Sequence, residues 1–144
     1  MKILLPLDGM EGSLVAVRFA IRLIREGLQA SVVLANVQEP ASLYEMSVAP
    51  DPQVLQKISS AAGAHALEGG EQLLKLAGMA FECEVGSGDP AHTIVDMVER
   101  LGCDMVIMGA RGKSSLRTAL LGSVSHGVVH GAAVPVLLVK PEEA

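Results

Sequence analysis

Aromatic side chains are almost missing from this sequence. Phe19, Tyr44 and Phe81 are the only three in 144 residues, and there is no tryptophan. Such a chain lacks the stacking platforms on which single-stranded nucleic acids are held. Its core must be aliphatic, and with half of its residues hydrophobic it has ample material for one. A chain of this length buries about 68–70% of its unfolded surface on folding, as expected for one domain over residues 1–144. Cysteine is scarce too: Cys83 and Cys103 have no CxxC spacing and are too few for a disulfide framework. They are expected as small buried hydrophobes in a reducing compartment. Long apolar runs are lacking. The run Ile3–Leu7 stops at Asp8, and none approaches the roughly 18 residues of a membrane span. A cytoplasmic protein with no membrane partner is expected. The formal charge of −5 gives no general attraction to nucleic acid or anionic membranes.

One further absence is local. No acidic residue occurs between Asp104 and Glu142, although 37 positions at the chain average of 16 acids in 144 would carry about four. The same stretch holds Arg111, Lys113, Arg117 and Lys140. A basic, acid-free segment in an acidic protein suits an anionic ligand. A charge fluctuation over a largely buried stretch is the plainer alternative.

What is present is an alternation of short apolar runs and helical patterns. Ile3–Leu7, Ser31–Val37, Phe81–Val85, Met105–Met108 and Val134–Val139 read as strands. Leu14, Val17, Ile21, Ile24 and Leu28 repeat at helical steps, with Ser13 as a candidate N-cap. Arg18, Arg22 and Arg25 form a second stripe, expected as a solvated face. Residues 54–77 read as a weaker helix, broken or frayed at Gly63, Gly69 and Gly70, each costing about 1 kcal/mol relative to alanine. Asp89 and Pro90 open the next helix, which Gly102 closes; Gly122-Ser123 opens the last. Between Gln38 and Pro52 lies a proline-punctuated loop, a candidate lid. Strands separated by helices imply parallel pairing and a doubly wound α/β sheet with helices on both faces.

The segment 109–126, GARGKSSLRTALLGSVSH, carries the chemistry. Gly109, Gly112 and Gly122 are spaced G-x2-G-x9-G, with Ser123 next. The segment starts where a buried strand ends, which is where open α/β sheets take their ligands. Glycines there let the backbone approach a phosphate, and the helix starting at Gly122-Ser123 offers free N–H groups and the positive end of its dipole. Two other glycine patterns are weaker. Gly112-Lys113-Ser114 lacks the P-loop's first glycine, since Ile107 stands there. Gly86-x-Gly88-x-x-Ala91 has Pro90 in the turn and no acid after the next strand, so these glycines are expected as turn residues.

The G-x2-G-x9-G-S spacing resembles the ATP-binding signature of the universal stress protein family. So do the opening ILLPLDG, the stretch GDPAHTIVDMVERLGCDMVIMGARGKSSL and the ending LLGSVSHGVVHGAAVPVLLVK, which together span essentially the whole chain. The resemblance implies a five-stranded parallel sheet of order 3-2-1-4-5, the adenine nucleotide α-hydrolase-like fold. It implies ATP as ligand, with Mg²⁺ accompanying the phosphates. Pro6, Leu7 and Asp8 would lie against the nucleoside, the backbone of Val37 at the adenine edge, and Met108 and Gly109 beside the ribose. Gly112, Gly122, Ser123, Val124 and Ser125 would hold the phosphates. Asp8 is open to a second reading as a turn cap, Ser123 as an N-cap, and Arg111, Lys113 and Arg117 as residues of a solvated loop.

His126 and His130 stand one turn apart, a spacing able to bind metal; with no third ligand evident, a non-metal role is expected. His65 and His92 read as helix-surface residues. The expected function is a nucleotide-binding stress-response regulator that acts on a protein partner. A slow ATP hydrolase, for which His126 is the best base, and a dimeric scaffold with a vestigial site are the alternatives. A homodimer is expected through the apolar edge strand Val134–Val139.

Overall fold

The computed structural model of the chain describes residues 1–39, 51–111 and 121–141. Strand β1 (Lys2–Pro6) is central, and β2 (Ser31–Gln38), β3 (Phe81–Ser87), β4 (Met105–Gly109) and β5 (Val136–Val139) complete one sheet. All pairs are parallel and the order is β3-β2-β1-β4-β5, as the resemblance implies. Ile3 stands opposite Val32 on one side and Met105 on the other. Helices α1 (Leu14–Arg25), α2 (Pro52–Leu76), α3 (Pro90–Leu101) and α4 (Ser123–Gly131) lie between the strands. Among the described residues no helix is long and apolar enough to cross a membrane.

Side chains alternate across the sheet, and the two faces have separate cores. Ile3, Leu5 and Leu7 pack with Val17 and Ile21 of α1 and Leu67 and Leu74 of α2. Leu4, Val33, Ala35, Val106 and Met108 pack with Ile94 and Met97 of α3 and Val128 of α4. From β1 the chain crosses through α1 to β2; from β4 it crosses through α4 to β5, on the other side. The order therefore changes direction between β1 and β4, which opens a crevice at the carboxyl ends of these strands.

The structure departs from the sequence expectations at four places. Helix α2 runs unbroken for 25 residues. Its glycines are sites of close approach: a Cβ at Gly63 would collide with Val85, and one at Gly70 would stand 2.6 Å from Leu7 Cδ1. Their helix-propensity cost is offset by burying Leu67 and Leu74, worth about 1.5–3 kcal/mol each. Ser13 does not cap α1. Its hydroxyl donates to the Met10 carbonyl (2.9 Å), and the helix grows out of a 3-10 turn over Glu11–Ser13. Cys83 is exposed on the edge strand β3, while Cys103 is buried as expected. Partial shielding from water raises both thiols above their ordinary range, even at exposed Cys83, where Glu71 adds to the effect. Strand β5 starts at Val136 because Pro135 has no N–H to give the ladder.

Other expectations are met. Asp89 caps α3 by accepting the His92 N–H (3.0 Å), with Pro90 in the first turn and Gly102 left-handed at the end. Arg18, Arg22 and Arg25 are exposed, two of them paired with Glu11 and Glu26. His65 and His92 sit on helix surfaces beside Glu68 and Asp96.

Candidate functional site

The crevice is built from the ends of β1 and β4. Pro6 closes β1 opposite Ala35. The Leu7 N–H donates to the Ala35 carbonyl (2.7 Å), and the Leu7 carbonyl accepts from Asn36 Nδ2 (2.8 Å). With its side chain buried in the core as well, Leu7 fixes the position of the chain at the strand end. Asp8 follows, half-buried, and Oδ1 accepts the Met10 N–H (2.8 Å). The turn-cap reading of Asp8 is thus observed, through one oxygen of the carboxylate.

Asn36 is a residue the sequence reading passed over. It is one of three buried polar side chains among the described residues, and it also accepts from Gln38 Nε2 (2.7 Å). Its amide ties the end of β2 to the backbone beside Asp8. The signal was there: a lone amide inside the otherwise apolar run Val32–Val37. A buried polar group in such a run needs partners, and here it has them. Val37 is half-buried, paired with Gly86 of β3, and packs against the α3–α4 side of the sheet.

On the other wall, the chain returns to the end of β4. The Gly122 N–H donates to the Ala110 carbonyl (2.9 Å), and Ser125 Oγ donates to the Gly109 carbonyl (2.9 Å). These two bonds pin the first turn of α4 onto the strand end. Gly122 is the N-cap residue, extended at φ −62°, ψ 157°, and contributes no side-chain cap. The first bond within the helix is His126 N–H to Gly122 carbonyl (2.9 Å). The N–H groups of Ser123, Val124 and Ser125 precede it, in the first turn, where a helix supplies no internal partner. They stand at the positive end of the helix dipole.

Gly109 faces the turn that starts α1: a Cβ there would lie 3.8 Å from the Gly12 carbonyl oxygen and 3.9 Å from Ser13 Cα. The Met108 side chain is buried in the core, so only its backbone reaches the crevice. The structure therefore brings together Pro6–Asp8, Met108–Gly109 and Gly122–Ser125, with Val37 one strand beyond β1. Gly112, Lys113 and Arg117 lie outside the described residues, as does most of the loop expected as a lid. Among the described residues no group of three or more His, Cys, Asp or Glu side chains is placed to hold a metal.

Comparison with known proteins bears on this arrangement. The sequence matches the Universal stress protein family over residues 1–140. It is 31% identical over 139 residues to the universal stress protein MJ0531 of Methanocaldococcus jannaschii, covering 96% of this chain and 81% of the relative. The solved structure of MJ0577, from the same organism, superposes with a TM-score of 0.81 at 28% identity, covering 99% of this chain and 97% of the other. Two more distant structures share the fold. One is a universal stress protein in complex with cAMP (TM-score 0.69, 24% identity, 99% and 98% covered). The other is an Arabidopsis thaliana family member with AMP bound (TM-score 0.72, 21% identity, 99% and 92% covered). With the family matched over nearly its full length and the sheet order that goes with it, this chain belongs to the universal stress protein family.

Proposed function

We propose that this protein is a cytoplasmic regulator of the stress response that binds ATP, with Mg²⁺ accompanying the phosphates, in the crevice between β1 and β4. The observation that carries this reading is the first turn of α4. Among the described residues three successive backbone N–H groups stand there without a capping side chain, fixed to the end of β4 by the Gly122 and Ser125 bonds. Such a turn suits an anion. Gly122, Ser123, Val124 and Ser125 would hold phosphate oxygens, and Gly112 would add a further backbone N–H. The acid-free stretch 105–141 leaves no carboxylate of that segment to repel them. Asp8 and the Val37 backbone, on the β1–β2 side, suit the ribose and base, where a carboxylate accepts hydrogen bonds. The cAMP and AMP complexes of the distant relatives support an adenine nucleotide as the ligand class.

In this reading the loaded and empty states differ for a partner protein, and the chain works as a homodimer. Among the described residues β5 pairs with β4 alone, and its Val136–Val139 side chains are apolar and half-buried. A free apolar edge suits a second copy. Replacing Val136 with Lys should shift the sedimentation profile toward monomer, and an unchanged profile would reject that edge.

Thermal unfolding with and without Mg-ATP tests the nucleotide reading. Ligand at 100 times its Kd adds about 2.7 kcal/mol, a rise of roughly 5–10 °C for a domain of this size. The rise should vanish in a folded Gly122→Val variant, whose side chain obstructs the phosphates. No rise at millimolar ATP in the wild type would sink the proposal.

A further inference from the structure

Helix α4 presents a second face, turned away from the sheet. Its inner residues Ser125 and Val128 are buried, and Gly127 and Gly131 lie against Ala91 and Val95 of α3. His126 and His130 are both exposed and their rings meet, with centroids 4.5 Å apart and planes inclined by 64°. Two imidazoles one helical turn apart share a face. The separation is informative. A nitrogen-bound imidazole has its donor atom about 2.1 Å from a metal ion and its ring centre about 3.2 Å away. Two such rings around one ion have centres from about 4.5 Å apart at a right angle to about 5.2 Å at the tetrahedral angle. The observed 4.5 Å, in an edge-to-face contact of two exposed rings, puts both imidazoles within reach of a single ion.

We propose that His126 and His130 form a two-imidazole surface chelate for an exchangeable first-row divalent cation. Imidazole donors suit Ni²⁺, Cu²⁺ and Zn²⁺, with water completing the shell. No third protein ligand is evident in the sequence near this pair. A third ligand is the requirement of a closed structural site; an exchangeable chelate needs only two donors on one rigid element. The helix supplies the rigidity, so the second imidazole binds within the molecule and adds to the affinity of the first. The other two histidines each stand beside a carboxylate, Glu68 at 3.2 Å and Asp96 at 3.8 Å, and neither has a second imidazole on its face. A nucleotide is not required for this site, so it stands or falls separately from the ATP reading.

Ni²⁺ titration by calorimetry, without nucleotide, tests the chelate. Wild type should bind one ion per chain. His126→Gln and His130→Gln should each weaken binding about tenfold or more, since either leaves a single donor. Both positions are exposed, and circular dichroism checks the fold of each variant. A His65→Gln, His92→Gln double variant should bind Ni²⁺ as the wild type does. Affinity within about twofold of wild type in both single variants of the pair, or loss of binding in the double variant, would overturn the assignment.

Discussion

Helices α3 and α4 both start after a strand and a glycine-containing turn, yet they complete their first turns in opposite ways. At α3 the chain satisfies itself. Asp89 accepts the His92 N–H, and Pro90 at the start of the helix has no N–H to satisfy. The glycines before it are structural: a Cβ at Gly86 would stand 2.7 Å from Met97 Cε, and Gly88 turns the chain at φ +135°. At α4 the N-cap is Gly122, among the described residues no side chain caps it, and the first three N–H groups have no partner within the helix. A glycine-rich turn before a helix is thus no sign of an anion site by itself. What distinguishes the two is whether the chain supplies its own carboxylate. At α3 it does; at α4 a ligand phosphate would take that place.

Exchanging the two solutions tests this contrast most sharply. In Gly122→Asp the carboxylate of the α3 cap is moved to α4, where it should accept the free N–H groups and repel phosphate. ATP affinity should fall about a hundredfold by calorimetry, like-charge contact costing several kcal/mol. Because Gly122 is buried, the added side chain should also cost about 1–3 kcal/mol of stability. Undiminished ATP binding in this variant would break the comparison. Ser125→Ala comes next. Without the bond to the Gly109 carbonyl, the first turn of α4 loses an anchor and a part-buried acceptor loses its donor. Denaturant unfolding should show a loss of about 1–3 kcal/mol, with weaker ATP binding. A smaller effect belongs to α3: Asp89→Ala should cost about 1 kcal/mol and lower the Tm by about 4 °C while leaving ATP affinity unchanged. The smallest is Asp89→Ser, a cap of similar quality, expected within about 0.5 kcal/mol of wild type. If Asp89→Ala weakens ATP as much as Gly122→Asp does, the two helix starts are not independent.

Much of this was legible in the residues, for identifiable reasons. The strand β1 and the helix α3 announce themselves through local chemistry: an apolar run ended by Asp8, and an Asp-Pro start with a glycine stop. The glycines of α2 misled because propensity counts their cost and not the contact they permit. Gly63 and Gly70 weaken an isolated helix, but against Val85 and Leu7 they are what lets the helix lie close to the sheet. Cys83 misled in a related way: an apolar residue on an edge strand can face outward, and nothing local says which face that is. Asn36 could have been caught, since a lone amide within five apolar neighbours must find partners. Its partner at Leu7 lies 29 residues away, which sequence spacing does not reveal.

By itself the sequence determined the alternation of strands and helices, the aliphatic cores and the glycine-serine segment that suits phosphate. These follow from local periodicity and from the conformations individual residues allow. Only the tertiary structure decided that the turn after β4 is tied back to the strand by Gly122 and Ser125, that Asp8 and Gly109 share one crevice, and that the rings of His126 and His130 meet on an exposed face. Those facts depend on where separate segments come to rest against one another, and that is set by packing two apolar faces of a single sheet.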